Sequence, residues 1–133
     1  MLYGIGCDLC SLSHLEKSLS SAHAAAFVHR GYGPAEQAAL GLCEASPASL
    51  NAHRLASAAA DFAAKEAFLK AAGVGLGGFS LGDIQVLRQE SGAPFYHLSG
   101  TAAAFAQKLT LHLTLSHEGE YALAFALFEA AGH

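Results

Sequence analysis

The amino-acid sequence predicts an α+β fold in which one long central helix packs on a mainly antiparallel sheet. Three observations carry that prediction. A helical pattern runs from Asn51 to Ala72 with no internal glycine or proline, a span of roughly 30 Å at 1.5 Å per residue. Several short apolar segments alternate at the strand period. Helices and strands also interleave without the regular βαβ rhythm of a parallel sheet. At 133 residues, one domain spanning 1–133 is expected, because a chain of this size buries roughly two thirds of its unfolded surface in one core.

The elements follow in order. Leu2 to Asp8 is apolar with glycines at 4 and 6. It reads as a short buried strand approached closely by another backbone at those glycines, with Asp8 at its exit. Ser13 to Ser20, Ala22 to His29 and Pro34 to Cys43 read as short helices, with Pro34 suited to a first helical position and Glu36 to a first turn. Asn51 is the expected N-cap of the long helix and Gly73 its stop. Beyond the glycine-rich segment Gly73 to Gly78, Asp83 to Leu87 alternates as a half-buried strand. Glu90 to Pro94 then turns into a second strand, Phe95 to Leu98, completing a hairpin. Thr101 to Lys108 is an alanine-rich helix. Leu111 to Leu115 and Tyr121 to Phe128 read as strands joined near Gly119.

Composition removes several classes of function. A hydrophobic fraction of 53% with 14% charged residues excludes a disordered chain. Seven Lys and Arg scattered through a chain of net charge −4 leave no nucleic-acid footprint. No apolar run reaches bilayer-spanning length, and the N-terminus lacks the basic and apolar regions of a signal peptide, so a cytoplasmic protein is expected without membrane contact. Three cysteines do not make a disulfide framework.

Chemistry-bearing residues concentrate between Asp61 and Gly77. Asp61, Lys65, Glu66 and Lys70 are the charged residues between Arg54 and Asp83. Two readings stand for them. Asp61 with Lys65 and Glu66 with Lys70 fit i,i+4 ion pairs on a wet face. Alternatively, Glu66 lies at the edge of an apolar stripe, bracketed by Phe62, Ala63 and Leu69, where a carboxylate calls for a cation. The helix then runs into Gly73-Val74-Gly75-Leu76-Gly77, whose small residues suit either a helix cap or backbone N–H contacts to a phosphate near Lys70. Asp8 is a turn aspartate or, with Glu66, half of a two-carboxylate Mg²⁺ site completed by waters and substrate phosphates. Ser116 and His117 do not form a dyad, since neighbours in a strand point to opposite faces. His117 alone fits a phosphate contact or a structural role. Cys7 and Cys10 have redox-motif spacing, but a zinc site would need Cys43 and scattered histidines.

Together these segments resemble the 4′-phosphopantetheinyl transferases of the holo-acyl-carrier-protein synthase type, over most of the chain. Gly4-Ile5-Gly6-Cys7-Asp8-Leu9 is similar to the family's opening motif, and Phe62 through Gly75 is similar to its central FxxKEAxxKAxGxG helix. Weaker matches follow in order at Arg30-Gly31-Tyr32 through Glu36, Asp83 to Val86 with Gly92-Ala93-Pro94, and Leu115-Ser116-His117 through Tyr121-Ala122. The resemblance implies transfer of the 4′-phosphopantetheine arm of coenzyme A to a serine of an apo acyl carrier protein, releasing adenosine 3′,5′-bisphosphate, in fatty acid biosynthesis or a related lipid pathway. It implies Mg²⁺ held by Asp8 and Glu66, and nucleotide phosphates held by Lys70, the backbone at Gly73 and Gly75, and His117. Lys65 would be a catalytic phosphate contact or an aid to proton transfer. It also implies a homotrimer with sites between subunits.

The chain departs from the family pattern in a consistent direction. Ser11 and His14 stand where an acid and an arginine are frequent. Asp61 replaces a basic or neutral residue, Ala93 a lysine, and Glu118 a hydroxyl residue. Together these changes remove positive charge, which implies a less acidic or more apolar carrier contact. Asp61 is read as Lys65's helical partner or as a local departure rather than a site residue. Two alternatives remain: a coenzyme A-binding module without catalysis, and a Cys7/Cys10 thiol oxidoreductase.

Overall fold

A computed structural model describes residues 1–42, 50–75 and 77–131. Cys43 and Leu76 lie outside the described residues. The order of elements is β1 (Leu2–Ser11), α1 (Leu12–Ser20), α2 (Ala24–Gly31), α3 (Pro34–Leu40), α4 (Ala52–Ala72), β2 (Ile84–Arg88), β3 (Pro94–Leu98), α5 (Gly100–Phe105), β4 (Leu109–Glu118) and β5 (Tyr121–Ala130). One-turn 3-10 segments precede β2 and follow α5.

The sheet is antiparallel throughout but divided in two. One part has the order β1-β5-β4, and the other is the β2-β3 hairpin. The long helix is the 21-residue α4. Asn51 caps it by accepting from the Arg54 N–H at 2.8 Å, and Gly73 ends it at φ 79, a conformation that favours glycine. Neither end strays from the sequence reading.

Small residues set how closely α4 and the sheet approach. Ala122, Ala124 and Ala126 of β5 are completely buried beneath it. A Cβ placed on Gly6 would lie 2.0 Å from the Ala67 carbonyl oxygen, and one on Gly4 2.0 Å from that of Ala71. Glycine is therefore required at both positions by contact. Above this layer Phe68 is the hub of an aromatic cluster, with ring centroids 5.0 Å from Phe128 and 5.1 Å from Tyr96. Leu15, Leu19, Val28 and Tyr32 form a second cluster around the first half of α4. Among the described residues no helix is long and apolar enough to cross a membrane.

The other face of the three-stranded sheet is uncovered. Ile5, Leu9, Tyr121, Leu123 and Phe125 lie there, between 38% and 57% exposed. Their alternation with the buried alanines of β5 follows from the period of 2 along a strand.

Candidate active site

The site begins with β1. Because Gly4 and Gly6 face α4, alternation carries Asp8 and Cys10 to the same side. There Asp8 meets the last turns of α4. Lys70 Nζ donates to Asp8 Oδ1 at 3.0 Å and to the Cys7 carbonyl at 2.9 Å. The Lys70 side chain stays 57% exposed and that of Asp8 23%, so the pair lies at the protein surface.

Glu66 lies one helical turn before Lys70. Its pKa is raised, first by partial burial and then by the negative charge of Asp8, while Lys70 pulls it down. The thiol of Cys10, between sheet and helix, is pushed up to about 11, by burial first and then by the charges of Asp8 and Glu66. Two carboxylates thus face a shared space with one flexible ammonium between them and too little positive charge. Among the described residues no group of three or more His, Cys, Asp and Glu side chains could enclose a metal. The donor set suits Mg²⁺, a hard cation that takes one or two carboxylates and fills its remaining positions with waters and phosphate oxygens.

The remaining expected residues fall less close. His117 stands on the same face of the sheet as Asp8, in the row Cys10, Ala122 and His117 across the three strands. It is exposed and has no side-chain hydrogen bond to Asp8, Glu66 or Lys70. The Gly73 and Val74 N–H groups, expected to be available to a phosphate, donate instead to the Lys70 and Leu69 carbonyls, each at 3.1 Å. Those bonds close the helix end. Gly73 and Gly75 border open space on their side-chain side, so only the approach to the backbone at Gly75 keeps the character expected of it.

Lys65 departs most from expectation. It is completely buried and donates to Glu36 Oε1 at 2.5 Å, to the Leu81 carbonyl at 2.9 Å and to the Ile84 carbonyl at 2.7 Å. An ammonium has three N–H donors, and all three are used. Glu36 is matched in turn, accepting from the Gly33 and Val86 N–H groups at 3.0 and 2.8 Å. Burial pushes Lys65 down and Glu36 up, and each charge opposes the other's shift. Lys65 therefore ties α4 to α3 and β2, with no donor left for a phosphate.

Asp61 is corrected with it. Its partner is Arg88 of β2 at 2.5 Å, not Lys65, and Asp61 is 1% exposed. The i,i+4 pairs expected along α4 are replaced by contacts to other elements. Glu36 and Arg88 were absent from the expected site; the one signal available was an acid in the first turn of α3 opposite a helix of alanines. The Cys7 and Cys10 reading is also corrected. Three positions apart on a strand, their Cα atoms lie about 10 Å from each other and their side chains take opposite faces, beyond the roughly 7 Å a disulfide spans.

Comparison with known proteins shows the fold and the family. Residues 4–126 match the 4′-phosphopantetheinyl transferase superfamily. The chain is 33% identical over 132 residues to a holo-[acyl-carrier-protein] synthase of Clostridium beijerinckii, covering 98% of this chain and 99% of that one. It is 37% identical over 131 residues to the synthase of Myxococcus xanthus, with 97% and 96% covered. Among solved structures it is similar to the Bacillus anthracis holo-(acyl-carrier-protein) synthase in complex with CoA (3′,5′-ADP), at 30% identity and a TM-score of 0.78, covering 98% and 99%. The Neisseria meningitidis enzyme gives the same TM-score, 0.78, at 29% identity, with 97% and 99% covered. The chain belongs to the 4′-phosphopantetheinyl transferase superfamily.

Proposed function

We infer that this chain is a holo-[acyl-carrier-protein] synthase, which transfers the 4′-phosphopantetheine arm of coenzyme A to a serine of an apo acyl carrier protein. In that reaction the serine oxygen forms a bond to the pantetheine-bearing phosphorus of the pyrophosphate. The bond from that phosphorus to the bridging oxygen breaks, and adenosine 3′,5′-bisphosphate leaves with the electron pair. The serine proton passes to a base. The nucleophile belongs to the carrier, so the chain needs no activated serine of its own. Ser116 beside His117 on opposite faces of β4 is in keeping with that.

The convergence of Asp8, Glu66 and Lys70 carries this reading. Asp8 and Glu66 would hold Mg²⁺. Mg²⁺, when bound, supplies positive charge where the leaving phosphate becomes more negative. Lys70 sits on an exposed turn with freedom to move from Asp8 to a phosphate oxygen, where an ammonium stabilises charge that grows as the bond breaks. His117, on the same face, would donate to a nucleotide phosphate, and the Gly75 backbone would line the approach. Lys65 has a positioning role, since its bonds to Glu36 and to carbonyls before and within β2 hold the helix that carries Glu66.

The uncovered apolar sheet face supports association of copies of this chain, which we take to be a homotrimer. An exposed patch of this kind marks an interface. We take residues 1–133 to form a single working domain, because both core clusters draw on α4. Fatty acid biosynthesis and a cytoplasmic setting accompany this reading.

The test is transfer of mass from coenzyme A to purified apo carrier protein, with Mg²⁺ and with chelator. Metal-dependent gain of one phosphopantetheine is expected. A chain that binds coenzyme A equally well as wild type and as Glu66→Gln, yet modifies no carrier, would be the non-catalytic module instead.

A further inference from the structure

Glu120 makes hydrogen bonds that the transfer reaction itself does not call for. It stands in the tight turn between β4 and β5, beside Gly119 at φ 57, and is exposed to solvent. A glutamate so placed has water for a partner, yet this one reaches back to the far end of the sequence. Its Oε1 accepts from the Ser13 N–H at 2.8 Å and from the Ser11 hydroxyl at 3.2 Å. Its backbone carbonyl accepts from the Leu12 N–H at 2.8 Å. Hydrogen bonds from Ser13, first among the causes, hold the Glu120 carboxyl below its ordinary pKa.

What these bonds fasten is the start of α1. The first N–H groups of a helix have no intrahelical acceptor, and a negative charge beside them is stabilising. α1 has no acid of its own in the first turn. Ser11 takes the His14 N–H at 3.3 Å, and Glu120, from another element, takes those of Leu12 and Ser13. Of the nine residues of α1 only Leu15 and Leu19 are buried, so the direction in which the helix leaves the sheet is set largely at the end that Glu120 holds. That end lies beside the candidate site. Ser11 is three residues past Asp8 on β1, about 10 Å along an extended strand, and the end of β4 that carries His117 leads into the Glu120 turn.

A protein that presents a serine at the Asp8 and Lys70 surface covers more than that surface. A standard protein contact takes about 800 Å² of each partner, a patch roughly 16 Å in radius, and the entry to α1 falls within it. We propose that Glu120 is a positioning residue for the carrier protein: by bridging the β4-β5 turn to Ser11 and Ser13 it fixes the angle of α1, and with it the surface that the carrier meets next to Asp8. This role rests on the transferase reading given above. Glu120 touches no reacting group, and what the role demands is an acceptor of the right reach rather than a charge.

The experiment measures transfer by the full chain with coenzyme A, Mg²⁺ and apo acyl carrier protein, varying each substrate in turn. Glu120→Gln keeps the acceptor and its reach without the charge, Glu120→Asp keeps the charge but is one methylene shorter, and Glu120→Ala removes both. Glu120→Ala and Glu120→Asp are expected to raise KM for the carrier about tenfold, with kcat and KM for coenzyme A within about twofold of wild type. Glu120→Gln should stay within about threefold of wild type in every parameter. Hydrogen exchange at the Ser13 amide should quicken in the Ala and Asp variants and not in the Gln variant. Three outcomes overturn the proposal. An unchanged carrier KM in all variants removes the role; equal effects of Gln and Ala assign it to charge; a joint loss in kcat and both KM values makes Glu120 a general support of the fold. Glu120→Asp is read even if Glu120→Ala folds poorly. A wild-type chain that modifies no carrier overturns the transferase reading, and the Glu120 role with it, before any variant is compared.

Discussion

Lys65 and Glu66 are adjacent in sequence and opposite in circumstance. Lys65 is fully buried, with its three N–H groups bonded to Glu36, Leu81 and Ile84. Glu66 is partly exposed, beside another carboxylate that raises its pKa. One residue of rotation, about 100°, separates a charge that the fold has satisfied from one that it has left wanting a cation. Satisfied buried charges hold elements together; unsatisfied charges at a rim are where ligands act. The contrast distinguishes structural from functional charge on one helix, and it can be broken from either side.

The largest effect is expected on the satisfied side. Lys65→Met leaves Glu36 buried without its cation, and loss of one partner of a buried pair costs about 3–5 kcal/mol. Denaturant unfolding should register that loss. Adding Glu36→Gln, which removes the stranded charge and keeps an acceptor for the Val86 N–H, should restore most of it. The double variant also separates roles: if Lys65 only positions α4, the refolded double variant retains kcat within a few-fold. A stable double variant with no transferase activity would return Lys65 to the reaction.

On the unsatisfied side, Glu66→Gln should lower kcat/KM by about 10²–10³-fold, the usual effect of removing one electrostatic contributor to a transition state. Stability should hold or rise, because a like-charge neighbour of Asp8 has gone. The two substitutions thus exchange their effects, one on folding and the other on turnover. Equal loss of both properties in both variants would abolish the distinction.

This division was only partly legible in the sequence. The strand with Gly4 and Gly6 and the capped helix from Asn51 to Gly73 could both be read, since each rests on local pattern or on a close approach that glycine announces. The partners of Lys65 and Asp61 could not. They lie 29 and 27 residues away, whereas an i,i+4 partner is always in view. The local pairing lost because the face carrying Asp61 and Lys65 is buried against α3 and β2, where only partners from those elements can reach. The split of the sheet was likewise hidden, as alternation tells which residues face inward and not which strands pair. The Gly73 N–H, open in the sequence to a helix cap or to a phosphate, goes to the cap, because a helix needs it first for its own C-terminal carbonyls.

Asp61 gives a smaller, pH-dependent version of the same comparison. Its pKa is raised from 3.8 to about 7, by burial first, against the opposing pull of Arg88. The folded state therefore holds the proton more tightly than the unfolded state. Between about pH 4 and 7 the folded protein binds more protons, so this group's contribution to stability falls as pH rises and levels off above 7. Asp61→Asn cannot ionise. Its melting temperature relative to wild type should climb through that window and then hold constant. A difference independent of pH would place the Asp61 carboxylate at its ordinary pKa and remove its burial as the cause.

The smallest effect expected concerns Lys70, which stands between the two cases: bonded to Asp8, yet exposed enough to leave. An exposed ion pair is worth about 0.2–1 kcal/mol, so Lys70 competes only weakly with any cation that approaches Asp8. Lys70→Met should therefore raise Mg²⁺ affinity in the absence of coenzyme A, by up to about fivefold, and lower coenzyme A affinity in the presence of the metal. Titration calorimetry with each ligand in turn resolves the two. Opposite signs would mean that Lys70 moves between the carboxylate and the phosphates. A fall in both affinities would mean that it holds Asp8 in place throughout, and would move it to the structural side with Lys65.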